Sequence, residues 1–201
     1  MRRIIVFSVF LLLINPAFGS VQSYNRILVL GDSLSAAYGI QTEEGWVALL
    51  ESKLPDDYHI VNASISGETT DGGLRALPGL LESHAPDIVI IELGANDGLR
   101  GFPLPTIERN LNQMVELAKM KDRKVLLLGM HIPPNYGSRY AQGFHAIFST
   151  VAERYDTALV PFLLEGVATR PELMQEDQLH PKAEAQETIM LRVWETLRPL
   201  L

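Results

Sequence analysis

Five short apolar runs rich in branched residues recur along the chain: Arg26–Leu30, His59–Ala63, Asp87–Leu93, Lys124–Met130 and Ala158–Phe162. Their hydrophobicity is continuous rather than alternating, which suits strands covered on both faces, as in a parallel sheet. Helical patterns lie between them. Over Thr106–Met120, Ile107, Leu111, Met114, Val115 and Ala118 fall on one stripe. A last helix is expected to start at Pro181, with Ala185, Ile189, Val193 and Leu197 on its buried face. Strands alternating with helices imply right-handed crossovers and an α/β three-layer sandwich around a central parallel sheet of about five strands. Such sheets bind ligands beyond the C-terminal ends of their strands. The functional loops are therefore expected at Gly31–Tyr38, Ser64–Gly73, Gly94–Phe102, His131–Tyr140 and Leu163–His180.

Composition narrows the chemistry. The 201 residues are 47% hydrophobic and 20% charged, within the globular range and enough for a real core. The net charge of −7 lacks the basic footprint of a nucleic-acid binder or a polybasic membrane-surface protein. With no cysteine there is no disulfide, thiolate metal site or cysteine nucleophile, so any reaction must use oxygen or nitrogen side chains. The N-terminus reads as an export signal: Arg2 and Arg3, an apolar run over Ile4–Ile14, a break at Pro16, and small residues Ala17 and Gly19 before a cut after Gly19. The run is shorter than the ~20 apolar residues that span a bilayer, although a retained N-terminal anchor is the competing reading. Removing Arg2 and Arg3 takes the charge from −7 to −9. The expectation is a signal peptide over 1–19 and one domain over 20–201, exported and soluble, periplasmic in a Gram-negative cell.

Four loops carry groups a hydrolase could use. Gly31-Asp32-Ser33-Leu34-Ser35 follows the first strand and exposes a serine at the sheet edge, although Asp or Ser there also caps helices. It is not the Gly-x-Ser-x-Gly elbow, because Ser35 stands where that motif needs Gly. Gly67, within Asn62–Thr69, can present a backbone N–H, or can be a plain turn glycine. Asn96, within Gly94–Gly98, can donate an amide N–H to developing negative charge, or can belong to Asn-Asp-Gly turn chemistry. Asp177-Gln178-Leu179-His180 can place a carboxylate against an imidazole, whose second nitrogen then faces Ser33. Each block alone has an ordinary structural explanation. Their order at one sheet edge (Ser, Gly, Asn, Asp-His) points to acyl transfer.

Those blocks resemble the SGNH or GDSL hydrolase superfamily, especially its TesA-type branch of bacterial acyl-thioesterases and lysophospholipases. The resemblance extends over 20–201 and includes Asn135-Tyr136-Gly137, Arg139-Tyr140 and Leu159–Phe162. It implies a flavodoxin-like fold and a Ser33–His180–Asp177 triad. It also implies an oxyanion hole from the Ser33 and Gly67 N–H groups and the Asn96 amide, with no metal or cofactor. The substrate it implies is a small-molecule acyl ester, thioester or lysophospholipid, hydrolysed by a monomer without stable membrane insertion. Ala95 departs from the family, which often has a second Gly before the Asn; a positive φ there would strain the loop.

For the acyl chain, the expected walls are a loop around Gly72–Pro78 with Leu74, Leu77 and Pro78, and the segment Leu99–Pro103 after the Asn96 turn, with Phe102, joined by Tyr136 and Tyr140. Packing of Leu74 and Leu77 in a helix is the competing reading. Of the other histidines, His59 and His84 read as surface or partly buried, His131 as a possible pocket residue and His145 as packing; none has metal-ligand spacing. The alternatives to an acyl esterase are a carbohydrate O-acetylesterase with the same blocks, and a flavodoxin-like binding module. The latter lacks a Gly-x-Gly-x-x-Gly or P-loop phosphate cradle.

Overall fold

The computed structural model describes residues 25–201, so the export signal and the choice between it and an anchor lie outside the described residues. Strands β1 (Asn25–Gly31), β2 (Tyr58–Asn62), β3 (Ile88–Glu92), β4 (Lys124–Leu128) and β5 (Ala158–Val160) form one sheet in the order β2-β1-β3-β4-β5. Every pairing is parallel. The sheet is thus the five-stranded parallel one expected from the continuous apolar runs, and β3 is buried at every position. Helices α1 (Trp46–Lys53) and α6 (Ala183–Leu197) pack together, while α2 (Thr70–His84), α4 (Leu104–Lys119) and α5 (Ser138–Tyr155) form a second row. A one-turn helix α3 (Ala95–Leu99) follows β3. Helices and sheet share one hydrophobic core cluster, giving the three-layer sandwich. The chain runs from β1 outward to β2 and then returns to place β3 on the other side of β1. The crevice between the C-terminal ends of β1 and β3 is therefore the topological switch point, where open α/β sheets bind ligands.

The predicted stripes are the buried ones: Ile107, Leu111, Met114, Val115 and Ala118 on α4, and Ala185, Ile189, Val193 and Leu197 on α6. Two expectations need correction. Helix α6 begins at Ala183, with Lys182 as N-cap, because Pro181 is drawn into an isolated antiparallel bridge with Met174. The segment around Gly72–Pro78 is the body of α2 rather than a loop. Thr69 caps that helix by accepting from the Gly72 N–H, and Ala85 ends it in the left-handed region just before Pro86. A Cβ on Gly73 would lie 2.2 Å from Leu93 Cδ1, so that glycine serves close packing onto the sheet. Pro78 removes one helical N–H donor, but burial of Leu77 and Leu81 on the same element outweighs that cost.

Leu77 is fully buried in the core, so it is not a wall of a substrate groove. Pro78 lines a cleft with Asn25, Tyr58 and Leu200, at the edge where the strands begin and opposite the functional loops. Leu74 is half-buried and packs against the core. Truncating a buried Leu typically costs ~2–5 kcal/mol. Leu77→Ala is therefore expected to lower the unfolding free energy by that order, read from a shifted denaturation midpoint, while leaving the ratio of long-chain to acetyl ester hydrolysis unchanged. A selective loss on long chains in a protein of unaltered stability would return Leu77 to the groove.

Candidate active site

Ser33 lies two residues beyond the end of β1, in a turn braced on both sides. Asp32 Oδ1 accepts the Leu34 N–H at 3.0 Å, and the Tyr38 N–H donates to the Ser33 carbonyl at 3.1 Å. Gly31 stays within the strand, and its role is proximity. A Cβ there would meet Glu92 Oε2 and Ser35 Oγ, each at 2.7 Å. The reason for glycine is thus the buried carboxyl beside it, rather than the tight turn that its position suggests.

His180 reaches Ser33 from the far end of the chain. Its Nε2 lies 2.8 Å from Ser33 Oγ, and its Nδ1 lies 2.6 Å from Asp177 Oδ2. A carboxylate only accepts, so Nδ1 carries the ring proton and Nε2 offers a lone pair to the serine hydroxyl. The His180 loop is pinched shut by the Met174–Pro181 bridge and by the Gln175 N–H, which donates to the His180 carbonyl at 2.8 Å. Gln175 Nε2 donates to the Tyr38 and Pro181 carbonyls at 2.8 and 3.0 Å, tying the serine loop to the histidine loop. The Tyr38 ring lies 4.5 Å from the His180 ring, tilted over it. Burial alone would raise the Asp177 carboxyl. The His180 ring and the backbone N–H groups of His180 and Leu179 overcome that and hold it down at about 2. Asp177 therefore stays ionised beside the imidazole.

Of the candidate oxyanion donors, Asn96 borders the same cavity as Ser33, while Gly67 lies on the loop after β2. Gly67 has φ +82, a conformation that favours glycine, and Arg100 Nη2 donates to its carbonyl at 3.1 Å. Among the described residues, neither the Ser33 nor the Gly67 N–H donates to another group of the protein. Asn96 stands in the first turn of α3, with one amide hydrogen given to Asp32 Oδ2 at 3.0 Å and the other available. The positive φ before it is borne by Gly94 at +122, while Ala95 is an ordinary first helical residue, so Ala95 introduces no strain. A buried network holds the Gly67 and Asn96 segments together: Asp97 accepts from the Thr70 N–H at 2.9 Å and hydroxyl at 2.6 Å, and Asn110 Nδ2 donates to that hydroxyl at 3.0 Å.

Beside Ser33 and His180 opens a cavity of about 140 Å³, walled by Leu34, Leu99, Ile132, Phe162, Leu164 and Leu179. His131 also lines it, stacked on His145 at 3.6 Å with Phe162 edge-on at 4.4 Å. Burial, with the neighbouring His145 adding to it, holds His131 below its ordinary value, which keeps this wall uncharged. Phe102 is not a wall of this cavity; its carbonyl accepts the Tyr140 hydroxyl at 2.6 Å. Tyr136 and Tyr140 line a separate, shallower surface with Leu104 and Gly143, because α5 begins at Ser138 and carries Tyr140 away from the serine. Of the expected walls, the Leu99–Pro103 segment reaches this cavity, through Leu99 rather than Phe102, whereas Leu74, Leu77, Pro78, Tyr136 and Tyr140 do not border it. Phe162 lies in a segment singled out from the sequence, but not as a wall. Glu92 and Gln175 were missed altogether. Glu92 left one trace, a charge closing an otherwise apolar run.

A hydroxyl, an imidazole and an ionised carboxylate in series, with unengaged N–H groups at Ser33 and on neighbouring loops, are the groups that nucleophilic acyl transfer needs. Among the described residues, no group of three or more His, Cys, Asp or Glu is placed to hold a metal ion. Comparison with known proteins agrees with the site. Residues 29–188 match the GDSL-like lipase/acylhydrolase family, and the chain belongs to it. It is 51% identical over 178 residues to "Esterase TesA" of Pseudomonas aeruginosa, covering 87% of this chain and 89% of that one. It is 42% identical over 177 residues to "Thioesterase 1/protease 1/lysophospholipase L1" of Escherichia coli K12, covering 88% and 85%. The solved structure "Crystal Structure of TesA" superposes with a TM-score of 0.85 at 50% identity, over 88% of this chain and all of that one. The chain is thus an esterase of the SGNH/GDSL type, as its motifs implied.

The folded-state value of Asp177, about 2, lies below its ordinary 3.8. The stability it contributes is therefore present above 3.8 and lost as pH falls towards 2. Melting midpoints of wild type and Asp177→Asn should differ above that range and converge within it. A gap that stays constant down to pH about 2 would mean that Asp177 is not held by charge.

Proposed function

We propose that Ser33 is the nucleophile, His180 the general base and then acid, and Asp177 the group that orients the imidazole. Ser33 Oγ attacks the acyl carbonyl carbon while its proton passes to His180 Nε2, and Asp177 stabilises the imidazolium. The carbonyl oxygen, now negative, is received by the Ser33 and Gly67 N–H groups and by the free amide hydrogen of Asn96. Collapse expels the alcohol or thiol, which takes the proton from His180, and leaves an acyl ester on Ser33. Water then repeats the sequence and releases the carboxylic acid. The observation that carries this reading is the continuous contact from Ser33 Oγ to Nε2 and from Nδ1 to Asp177, at 2.8 and 2.6 Å.

The substrate is a carboxylic ester or thioester with a hydrophobic acyl chain, lysophospholipid included. The uncharged wall of the cavity beside Ser33 supports that choice, and it disfavours the O-acetylesterase reading, which needs a small, polar acyl site. We further propose that residues 1–19 direct export, that 20–201 form one monomeric domain, and that a lysophospholipid or free ester, rather than acyl-CoA, is the everyday substrate outside the cytoplasm. No helix among the described residues is long and apolar enough to cross a membrane.

Loss of a triad nucleophile in a subtilisin-type enzyme costs on the order of 10⁶-fold in turnover. Ser33→Ala should show a comparable loss with an unchanged melting curve, and a fluorophosphonate should label wild type once and the variant not at all. Label appearing on Ser35 or elsewhere would overturn the assignment.

Each buried methylene contributes ~0.8 kcal/mol, roughly fourfold in kcat/KM. The cavity's 140 Å³ is below the ~300–1,000 Å³ common for ligand pockets. The gain with acyl length should therefore level off after a few carbons. Leu99→Asp and Phe162→Asp should penalise the longer esters far more than acetyl esters. Equal losses on both, or a wild type preferring acetyl, would favour the carbohydrate esterase.

A further inference from the structure

Glu92 closes β3 with a fully buried carboxyl, directly beneath the serine turn. Its Oε2 accepts two hydrogen bonds, from the Ser35 hydroxyl at 2.6 Å and from the Asp32 N–H at 3.1 Å. Its Oε1 is buried and receives no donor from the described residues. The carboxyl of Asp32 is also buried, and the Asp32 N–H donates to Glu92 Oε2, so the two acids lie side by side and raise each other's cost of ionisation. Both Asp32 oxygens are already occupied as acceptors, Oδ1 by the Leu34 N–H and Oδ2 by Asn96 Nδ2. Two buried carboxyls this near each other cannot both be ionised without a large electrostatic penalty, which favours one proton held by the pair. The only oxygen of the four without a donor aimed at it is Glu92 Oε1.

We propose that Glu92 is a positioning residue for the oxyanion site: as a neutral acid it donates from Oε1 to the Asp32 carboxylate, and Asp32 in turn fixes the Asn96 amide. The proton completes a chain in which every polar atom has a partner. Glu92 donates to Asp32, Asp32 accepts from Asn96 and Leu34, and the second Asn96 hydrogen is left pointing to the crevice. The same Glu92 oxygen that accepts from Ser35 and Asp32 N–H holds the ends of the nucleophile turn. Ser33 and Asn96, which come from different strand ends, are thereby referenced to one buried group. Burial, and next the charge of Asp32, push the Glu92 carboxyl well above its ordinary range, and burial raises Asp32 as well. Both directions favour a proton held by the pair, and the donor-free oxygen, Glu92 Oε1, is the place left for it.

The inference rests on the oxyanion role proposed for Asn96, and its test separates the two. In the full-length protein near pH ~8, where an ordinary carboxyl is ionised, the infrared difference between wild type and Glu92→Gln should contain a protonated-carboxyl stretch. No such band means that Glu92 is ionised, and the proposal fails whatever the enzyme does. Gln supplies the same donor and acceptor, so Glu92→Gln should keep kcat within a few-fold. Glu92→Leu should lower kcat with little change in KM, bounded by the ~10²–10³-fold cost of deleting an oxyanion donor. In an Asn96→Ala background the further effect of Glu92→Leu should largely disappear, since the group it positions is gone. Additive losses, or Glu92→Gln as damaged as Glu92→Leu, would show a merely structural carboxyl. Should Glu92→Leu fail to fold, the band and the Gln variant still decide the matter. Failure of the hydrolase reading has its own signature: wild type that takes no fluorophosphonate label at Ser33.

Discussion

The pairing of β1 with β3 is the constraint on which the reactive edge depends. Its register sets Gly31 opposite Glu92 at the last rung, so an apolar sheet ends on a buried acid at the point where the chain turns towards Ser33. An acid at such depth must be neutralised or hydrogen-bonded. Ser35, the Asp32 N–H and the Asp32 carboxyl meet that demand together. Satisfying one buried carboxyl thus shapes the five-residue turn carrying the proposed nucleophile, and leaves no room for a side chain at Gly31. The neighbouring strand end delivers Asn96 to Asp32, so the proposed oxyanion donor and nucleophile share one anchor.

The histidine arm is built on a different principle. Ser33 and His180 are separated by 147 positions, and no strand pairing connects them. Their relative placement comes from loop-to-loop hydrogen bonds, with Gln175 touching the backbone of both sides. Asp177 is partly exposed yet remains ionised because the imidazole and two backbone N–H groups favour its charge. The buried acids behind the serine show the reverse, with burial raising both. Three carboxyls within one site are therefore divided by environment: an ionised one beside the proposed base, and a buried pair that, under the proposal above, shares a proton and braces the Asn96 amide.

Much of this was legible in the sequence, for identifiable reasons. Continuous apolar runs gave away the five parallel strands because both faces of that sheet are covered, and the stripes of α4 and α6 followed from their period. The ordered blocks around Ser33, Gly67, Asn96 and Asp177–His180 were visible because each occupies a loop at one sheet edge. Helix α2 was misread as a loop because Gly72, Gly73 and Pro78 look like breakers, whereas burial of Leu77 and Leu81 decides that segment. The acyl wall was only partly legible: the Leu99–Pro103 segment supplies Leu99, but Phe102 turns its carbonyl to Tyr140 instead, and Phe162 comes from beyond β5, which only the fold reveals. Gln175 could not be recognised, since its importance lies in two backbone carbonyls that only tertiary structure supplies.

An acyl carbonyl bound at Ser33 is proposed to place its oxygen between three N–H donors and its chain in the small apolar cavity. A crystal structure of the protein after reaction with an alkyl fluorophosphonate tests both halves at once. Phosphorus should be bonded to Ser33 Oγ, with the phosphonyl oxygen within ~2.7–3.1 Å of the Ser33 N, Gly67 N and Asn96 Nδ2 atoms. The alkyl chain should run between Leu99 and Phe162. Phosphorus on another residue, a phosphonyl oxygen turned away from Gly67 and Asn96, or a chain lying along Tyr136 and Tyr140, would contradict it.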